Sequence, residues 1–92
     1  MSYVIFEVKS AEAGKIQTML QEDIVNRKSI VIRDENSLDI KEAVSYLKVE
    51  GSPEGIKRAE ELAKELGLTK LKEKKAKKID EGRDYKHTRF SI

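Results

Sequence analysis

Alternation of apolar and polar residues predicts three β-strands in the first half of the chain. Residues 2–9 are rich in β-branched and aromatic side chains, which favour a strand. Because successive side chains point to opposite faces, one face of this segment is apolar throughout and is assigned to the core. The reverse face carries Tyr3 and Ile5 and is more apolar than contact with solvent requires. The core face carries Val4, Phe6 and Val8.

Two further strands are predicted at residues 28–33 and 43–50, joined as a hairpin by a long acidic connection at residues 34–42. In the first of them, Ile30 and Ile32 share one parity and Val31 has the other. We therefore assign Val31 to the reverse face of the sheet. The next strand places Leu47 and Val49 on one face and Val44 and Tyr46 on the other.

The helical spacing of apolar residues predicts a first helix over residues 11–26. Ser10 is assigned as its N-cap, because a serine hydroxyl can accept a hydrogen bond from a free N–H of the first turn. Gly14 lies within that first turn, where the missing side chain allows a close approach of backbone or ligand. The apolar stripe of this helix is Ala13, Ile16, Met19, Leu20 and Ile24.

A second helix, over residues 53–66, has the strongest end signals in the chain. Ser52 is the expected cap and Pro53 occupies the first helical position, where its missing N–H costs nothing. Gly67 is the expected left-handed residue after the last turn. The spacing also predicts two ion pairs along the helix, Glu54–Arg58 and Glu60–Lys64.

Residues 68–73 predict either a short fourth strand or the start of a lysine-rich helix. Residues 74–84 are typical of a solvated linker. Residues 85–92 regain a β-type composition, which is compatible with an edge strand or with a partner-binding tail. The helix alternative would use Leu68, Leu71 and Ile79 as its apolar side.

The element order β-α-β-β-α, with or without a final strand, is that of the ferredoxin-like split β-α-β plait. We predict an α+β fold in which both helices cover one face of an antiparallel sheet. Residues 1–72 are assigned to a single domain, and residues 73–92 to a basic C-terminal extension. The apolar reverse face of the sheet favours a homodimer or a tail packed against it.

The composition narrows the class of protein. The 92-residue chain contains no cysteine, so a disulfide framework and a thiolate metal site are excluded. It shows no apolar run long enough to span a membrane and no secretory leader, so we expect a cytoplasmic protein. The abundance of lysine and glutamate is also typical of proteins from thermophiles.

Positive charge is concentrated near the C-terminal end. Residues 1–69 have ten basic and thirteen acidic side chains, whereas residues 70–92 have nine basic and four acidic ones. A basic segment after an acidic body is typical of a protein that binds RNA or another polyanion, although lysines also keep a terminal extension solvated. The candidate nucleic-acid-binding residues are Lys70, Lys72, Lys74, Lys75, Lys77, Lys78, Arg83 and Arg89.

Residue types that carry catalysis are sparse. His87 is the only histidine, and no spacing of carboxylates around it predicts a metal site. The five glycines are scattered and form no phosphate-binding loop. We therefore predict a non-enzymatic binding protein without a catalytic residue, a metal or a cofactor.

Residues 46–63 resemble the closing strand–helix unit of KH-type RNA-binding domains. In both, a short strand is followed by glycine, a small polar residue, a proline or acidic residue, and a helix with Ile and Ala at this spacing. The resemblance implies RNA binding.

The overall element order also resembles the small-molecule regulatory domains of the ACT class. In that class a ligand lies near the junction of the first strand and first helix, at a dimer interface. The resemblance implies Ser10 and Gly14 as ligand-binding residues in a dimeric regulatory domain. A third alternative is an accessory subunit that binds a protein partner through its C-terminal tail.

Overall fold

The computed structural model describes residues 3–33 and 43–82 of the chain. The predicted hairpin connection and residues 83–92 of the predicted extension, with Arg83, His87 and Arg89, lie outside the described residues. The elements in chain order are β1 (Tyr3–Lys9), α1 (Ser10–Ile24), a 3-10 turn (Val25–Arg27), β2 (Ser29–Arg33), β3 (Val44–Gly51), α2 (Pro53–Glu65), β4 (Thr69–Lys70) and α3 (Glu73–Gly82).

The strands form a four-stranded sheet in the order β2-β3-β1-β4, and every neighbouring pair is antiparallel. The long β1–β3 ladder runs from the pair Tyr3 and Glu50 to the pair Lys9 and Val44 and occupies the centre. The predicted α+β class and antiparallel sheet are thereby confirmed. The fourth strand is shorter than predicted, because it pairs with β1 only at Thr69 and Lys70.

The main core lies between one face of the sheet and the two helices α1 and α2, as predicted. Phe6 and Leu47 on the central strands are almost completely buried, together with Leu20 of α1 and Ala59 of α2. Burial of apolar surface of this kind is the main stabilising contribution to the fold. The other buried members of this cluster are Val8, Ala13, Ile16, Ile24, Val31, Val49, Ile56 and Ala63.

The end signals of α2 are confirmed. The Ser52 hydroxyl accepts a hydrogen bond from the Gly55 N–H at 3.1 Å. At the other end, Gly67 has φ +74° and the Leu68 N–H bonds the Ala63 carbonyl at 2.8 Å, which is the pattern of a Schellman motif.

The predicted cap of α1 is wrong. Ser10 is the first helical residue, Lys9 occupies the cap position, and no side chain caps this end. The Ser10 hydroxyl instead lies 2.9 Å from the Ser45 hydroxyl on β3, and the Ser10 N–H bonds the Ala43 carbonyl at 3.0 Å. The first strand passes directly into the helix, and the carbonyl of Ala43, the residue before β3, accepts a hydrogen bond from the first helical N–H.

The predicted faces of β2 are reversed. Val31 pairs with Val49, lies in the cluster under the helices and is fully buried. Ile32 is fully buried as well, although its parity places it on the reverse face. Because both faces of β2 are buried, the apolar pattern does not decide its orientation, and the register with β3 does.

Side-chain amides of α1 cover the outer edge of β2. Gln21 Oε1 accepts a hydrogen bond from the Val31 N–H at 2.9 Å, and Gln17 Nε2 donates one to the Val31 carbonyl at 3.2 Å. An edge strand offers such groups to other chains, so these bonds close this part of the edge to strand addition.

The linker prediction over residues 74–84 is wrong for its described part, because residues 73–82 form α3. The alternative of a lysine-rich helix is confirmed in part: Leu71 and Ile79 belong to its apolar cluster, whereas Leu68 packs against the main core. Ala76 of α3 packs with Leu71 and Ile5 in a second apolar cluster, on the face of the sheet opposite α1 and α2. Tyr3, Tyr46 and Ile79 pack against this cluster. The composition favours a linker because four of the ten residues are lysines, and a small residue such as Ala76 gives little apolar signal. The domain division at residue 72 stays a prediction.

Candidate functional site

The exposed side of α3 and the residue that precedes the helix form a lysine surface, defined here as Lys72, Lys74, Lys75, Lys77 and Lys78. All five side chains are exposed. Ala76 faces the sheet, so at 100° per residue Lys74 and Lys78 lie one turn apart on the far side of the helix. No described residue forms an ion pair with any of the five.

Lys70 differs from these five lysines. It belongs to β4, and its Nζ lies 2.8 Å from Glu60 Oε2 on α2. The pair is largely exposed, so it contributes little to stability, but it neutralises part of the Lys70 charge. The structure thus brings five of the eight predicted residues onto one surface and places Lys70 at its border.

A cavity of about 720 Å³ opens between the start of β1, β4 and the first turn of α3. Its lining combines three lysines and one glutamate with four apolar or aromatic residues. The lining residues are Tyr3, Val4, Lys70, Leu71, Lys72, Glu73, Ala76 and Lys77.

Lys48 holds α3 against the reverse face of the sheet. Its Nζ lies 2.7 Å from Asp80 on α3, and 4.8 Å from the centre of the Tyr3 ring. Only 14% of the Lys48 side chain is exposed, so the ion pair is screened less than a surface pair. Burial of the Tyr3 phenol, and then the negative charge of Asp80, raise the pKa of Tyr3 above its ordinary value.

The predicted ligand-binding residues Ser10 and Gly14 lie near each other on the first turns of α1. A Cβ atom on Gly14 would lie 2.9 Å from Nη1 of Arg33, so the glycine makes room for that guanidinium. The Arg33 Nε is buried and has no hydrogen-bond partner within the described part of the chain. An arginine of this kind next to a helix start is suited to an anion, but Ser10 already has a partner in Ser45.

A metal ion requires a particular arrangement of ionisable side chains. Across residues 3–33 and 43–82, no three His, Asp or Glu side chains are grouped so that they could hold a metal ion. In the same ranges, no helix is long and apolar enough to cross a membrane.

Comparisons with protein-family models, with curated proteins and with solved structures found no match to this chain.

Sequence reasoning missed two residues that organise these regions. Arg33 ends a strand beside an acidic connection and gave no signal of its contact with Gly14, which depends on the packing of α1 over β2. Lys48 is a single lysine between apolar strand positions. Its parity with Tyr46 placed it on the reverse face, but its partner Asp80 lay in the segment read as a linker.

Proposed function

We propose that this protein is a non-enzymatic polyanion-binding domain, with single-stranded RNA as its ligand and the lysine surface as its binding site. The observation that carries the proposal is the docking of α3 through Ala76 and Asp80, which leaves the side chains of Lys72, Lys74, Lys75, Lys77 and Lys78 exposed. While α3 is docked, the lysines are held at fixed spacing. Their ammonium groups can then displace the cations that accompany the phosphates of an RNA strand.

One feature supports the choice of RNA. Residues 46–63, which resemble the closing unit of KH-type domains, form the end of β3 and most of α2. The sequence has no Gly-x-x-Gly loop of the KH kind. The proposal therefore assigns binding to the lysines and to the phosphate backbone, with little preference for base sequence.

The proposal also covers the fold type and the cellular location of the protein. The order of the elements and of the strands supports a ferredoxin-like split β-α-β plait with α3 added on its open face. A cytoplasmic location also belongs to the proposal. A homodimer stays a prediction. It was based on an uncovered apolar face of the sheet, and that basis is weaker because α3 packs against Ile5 on this face.

The test is the salt dependence of RNA binding, measured by fluorescence anisotropy with a labelled oligouridine. Five phosphate contacts to a single strand predict a loss of affinity of about a hundredfold between about 50 and 200 mM salt. Replacing Lys74, Lys77 and Lys78 together with Gln should reduce the slope of log K against log salt by about 2.

The matched control replaces three exposed lysines of α1 and α2 with Gln, namely Lys15, Lys57 and Lys64. This variant has the same net charge but an intact lysine surface, so its slope should stay close to that of the unmodified protein. Equal slopes for the two triple variants, or no binding at about 50 mM salt, would refute the proposal. If duplex DNA and heparin bound as tightly as RNA, the site would be a general polyanion site, and the assignment of RNA as its ligand would be wrong.

A second candidate function is supported by the buried Arg33 Nε that has no described partner. We propose as the alternative a regulatory domain of the ACT kind that binds a small carboxylate beside Gly14. A ligand present at a hundredfold excess over its dissociation constant would stabilise the protein by about 2.7 kcal/mol. A thermal-shift series over the common amino acids, repeated with Arg33→Met, tests this, and unchanged melting throughout would exclude it.

A further inference from the structure

An apolar groove lies between α1 and α2 on the side of the molecule opposite the lysine surface. It has a volume of about 320 Å³. Met19 on α1 and Leu66 at the end of α2 line it and are 42% and 39% exposed, although both are large apolar side chains. Leu62, which is partly buried, connects the groove to the main core.

The rim of this groove is acidic. Glu22 on α1 and Glu65 on α2 are exposed and line the groove, and no described residue forms an ion pair with either. Asp23 lines it as well, but its carboxylate receives two hydrogen bonds from Arg58, at 2.9 and 3.2 Å. The free charge around the apolar floor is therefore negative.

We propose that this groove binds a basic amphipathic helix of another protein. Exposed apolar side chains in contact with one another mark interaction surfaces, and methionine adapts its shape to the side chains of a partner. The acidic rim selects the partner, because a helix with lysine or arginine beside its apolar stripe would pair with Glu22 and Glu65. A second copy presenting the same groove is disfavoured, since the two acidic rims would face each other.

The experiment uses the full chain and a synthetic 18-residue helix of leucine and lysine, with leucines at the helical period and lysines elsewhere. We expect chemical-shift changes in the NMR spectrum of the protein at Met19, Glu22, Leu62, Glu65 and Leu66. We expect Leu66→Ser to weaken binding by at least about tenfold, because it removes an exposed apolar side chain that lines the groove.

Val25→Ser is the matched control, because Val25 is 53% exposed and does not line the groove. Its affinity should equal that of the unmodified protein, and melting curves should show both variants to be folded. Glu65→Lys should weaken binding of the lysine helix, whereas Glu12→Lys on the first turn of α1 should not.

Several results would overturn the proposal: no binding of the lysine helix, equal binding by Leu66→Ser and Val25→Ser, or shifts confined to other surfaces. Equal binding of a scrambled peptide, or of one with glutamate in place of lysine, would do the same. A dimer that forms without peptide and is lost in Leu66→Ser would assign the groove to a second copy instead. The RNA experiment is independent, because it changes only lysines outside this groove.

Discussion

Gly55 marks the closest approach between α2 and β2. A Cβ atom at this position would lie 1.9 Å from the Ser29 Oγ and 2.5 Å from the Ser29 Cβ. Around it, the Ser52 hydroxyl donates a hydrogen bond to the Arg27 carbonyl while it caps α2. A side chain at residue 55 would therefore push the helix away from the strand and disturb its cap.

We expect Gly55→Ala to destabilise the fold by about 1–3 kcal/mol, as overpacking of a close contact does. Equilibrium unfolding in urea measures the change. Gly82→Ala is the control, because within residues 3–33 and 43–82 no atom beyond its own chain neighbours and helix backbone lies within 4 Å of the Cβ it would add. In a helix, that control should be neutral or stabilising by up to about 1 kcal/mol. A neutral Gly55→Ala would show that β2 and α2 separate at little cost.

At the scale of the elements, α1 and α2 are joined by a charged pair as well as by their apolar stripes. Arg58 of α2 was predicted to pair with Glu54 along its own helix, yet its guanidinium bonds Asp23 of α1 through two nitrogens. Glu54 pairs instead with Arg27, at 3.1 Å. The prediction was wrong because spacing along one helix carries no information about the charges on the next.

The Asp23–Arg58 pair predicts a dependence of stability on pH. The hydrogen bond from Arg58 lowers the pKa of Asp23 below its ordinary value of 3.8. The stabilisation from this carboxylate is therefore fully present above that value, and it is lost as the pH falls through the lower pKa of the folded state. Asp23→Asn should be less stable than the unmodified protein at about pH 6, with a difference that shrinks as the pH falls below 3.8.

Urea unfolding at a series of pH values measures this difference. The control is Glu22→Gln, at the neighbouring exposed position, which removes a carboxylate of α1 and leaves the Asp23–Arg58 pair intact. If the Asp23→Asn difference stayed constant across the whole acid range, the pair would not be its source.

At the scale of the whole molecule, α3 is a third layer that covers part of the reverse face of the sheet. Its anchors are Ala76, the half-buried Ile79 and the pair of Asp80 with Lys48. An isolated ten-residue helix is marginal in water, so α3 depends on these contacts for its order. The lysine surface therefore exists only while α3 is docked.

Exchanging two neighbouring residues, in the double variant Lys75→Ala and Ala76→Lys, tests this dependence without changing composition or charge. A lysine in place of the buried Ala76 cannot enter the contact with Ile5, so α3 should leave the sheet and expose Tyr3 and Ile5. We expect a loss of about 1–3 kcal/mol in stability and increased binding of the dye ANS.

Lys78→Ala, on the outward side of α3, is the control for this exchange and should change stability by less than about 0.5 kcal/mol. Unchanged ANS fluorescence and stability in the double variant would mean that the reverse face does not need α3.

The sequence by itself determined the elements that have local signals. Period-2 and period-3.6 patterns located β1, β3 and both core helices, and Ser52, Pro53 and Gly67 defined the ends of α2 because their chemistry acts within one turn. The same patterns placed both helices on one face of the sheet, since each helix has a single apolar stripe.

Only the tertiary structure decided the orientation of β2, the docking of α3 and the partners of the charged residues. Val31 and Ile32 are both buried, so only pairing with β3 could choose between the two faces. The contacts of Ala76 and Asp80 join residues far apart in the chain, and such contacts leave no periodic mark in the sequence. Local patterns show that a residue will be buried or charged. Three-dimensional packing determines which distant residue it contacts.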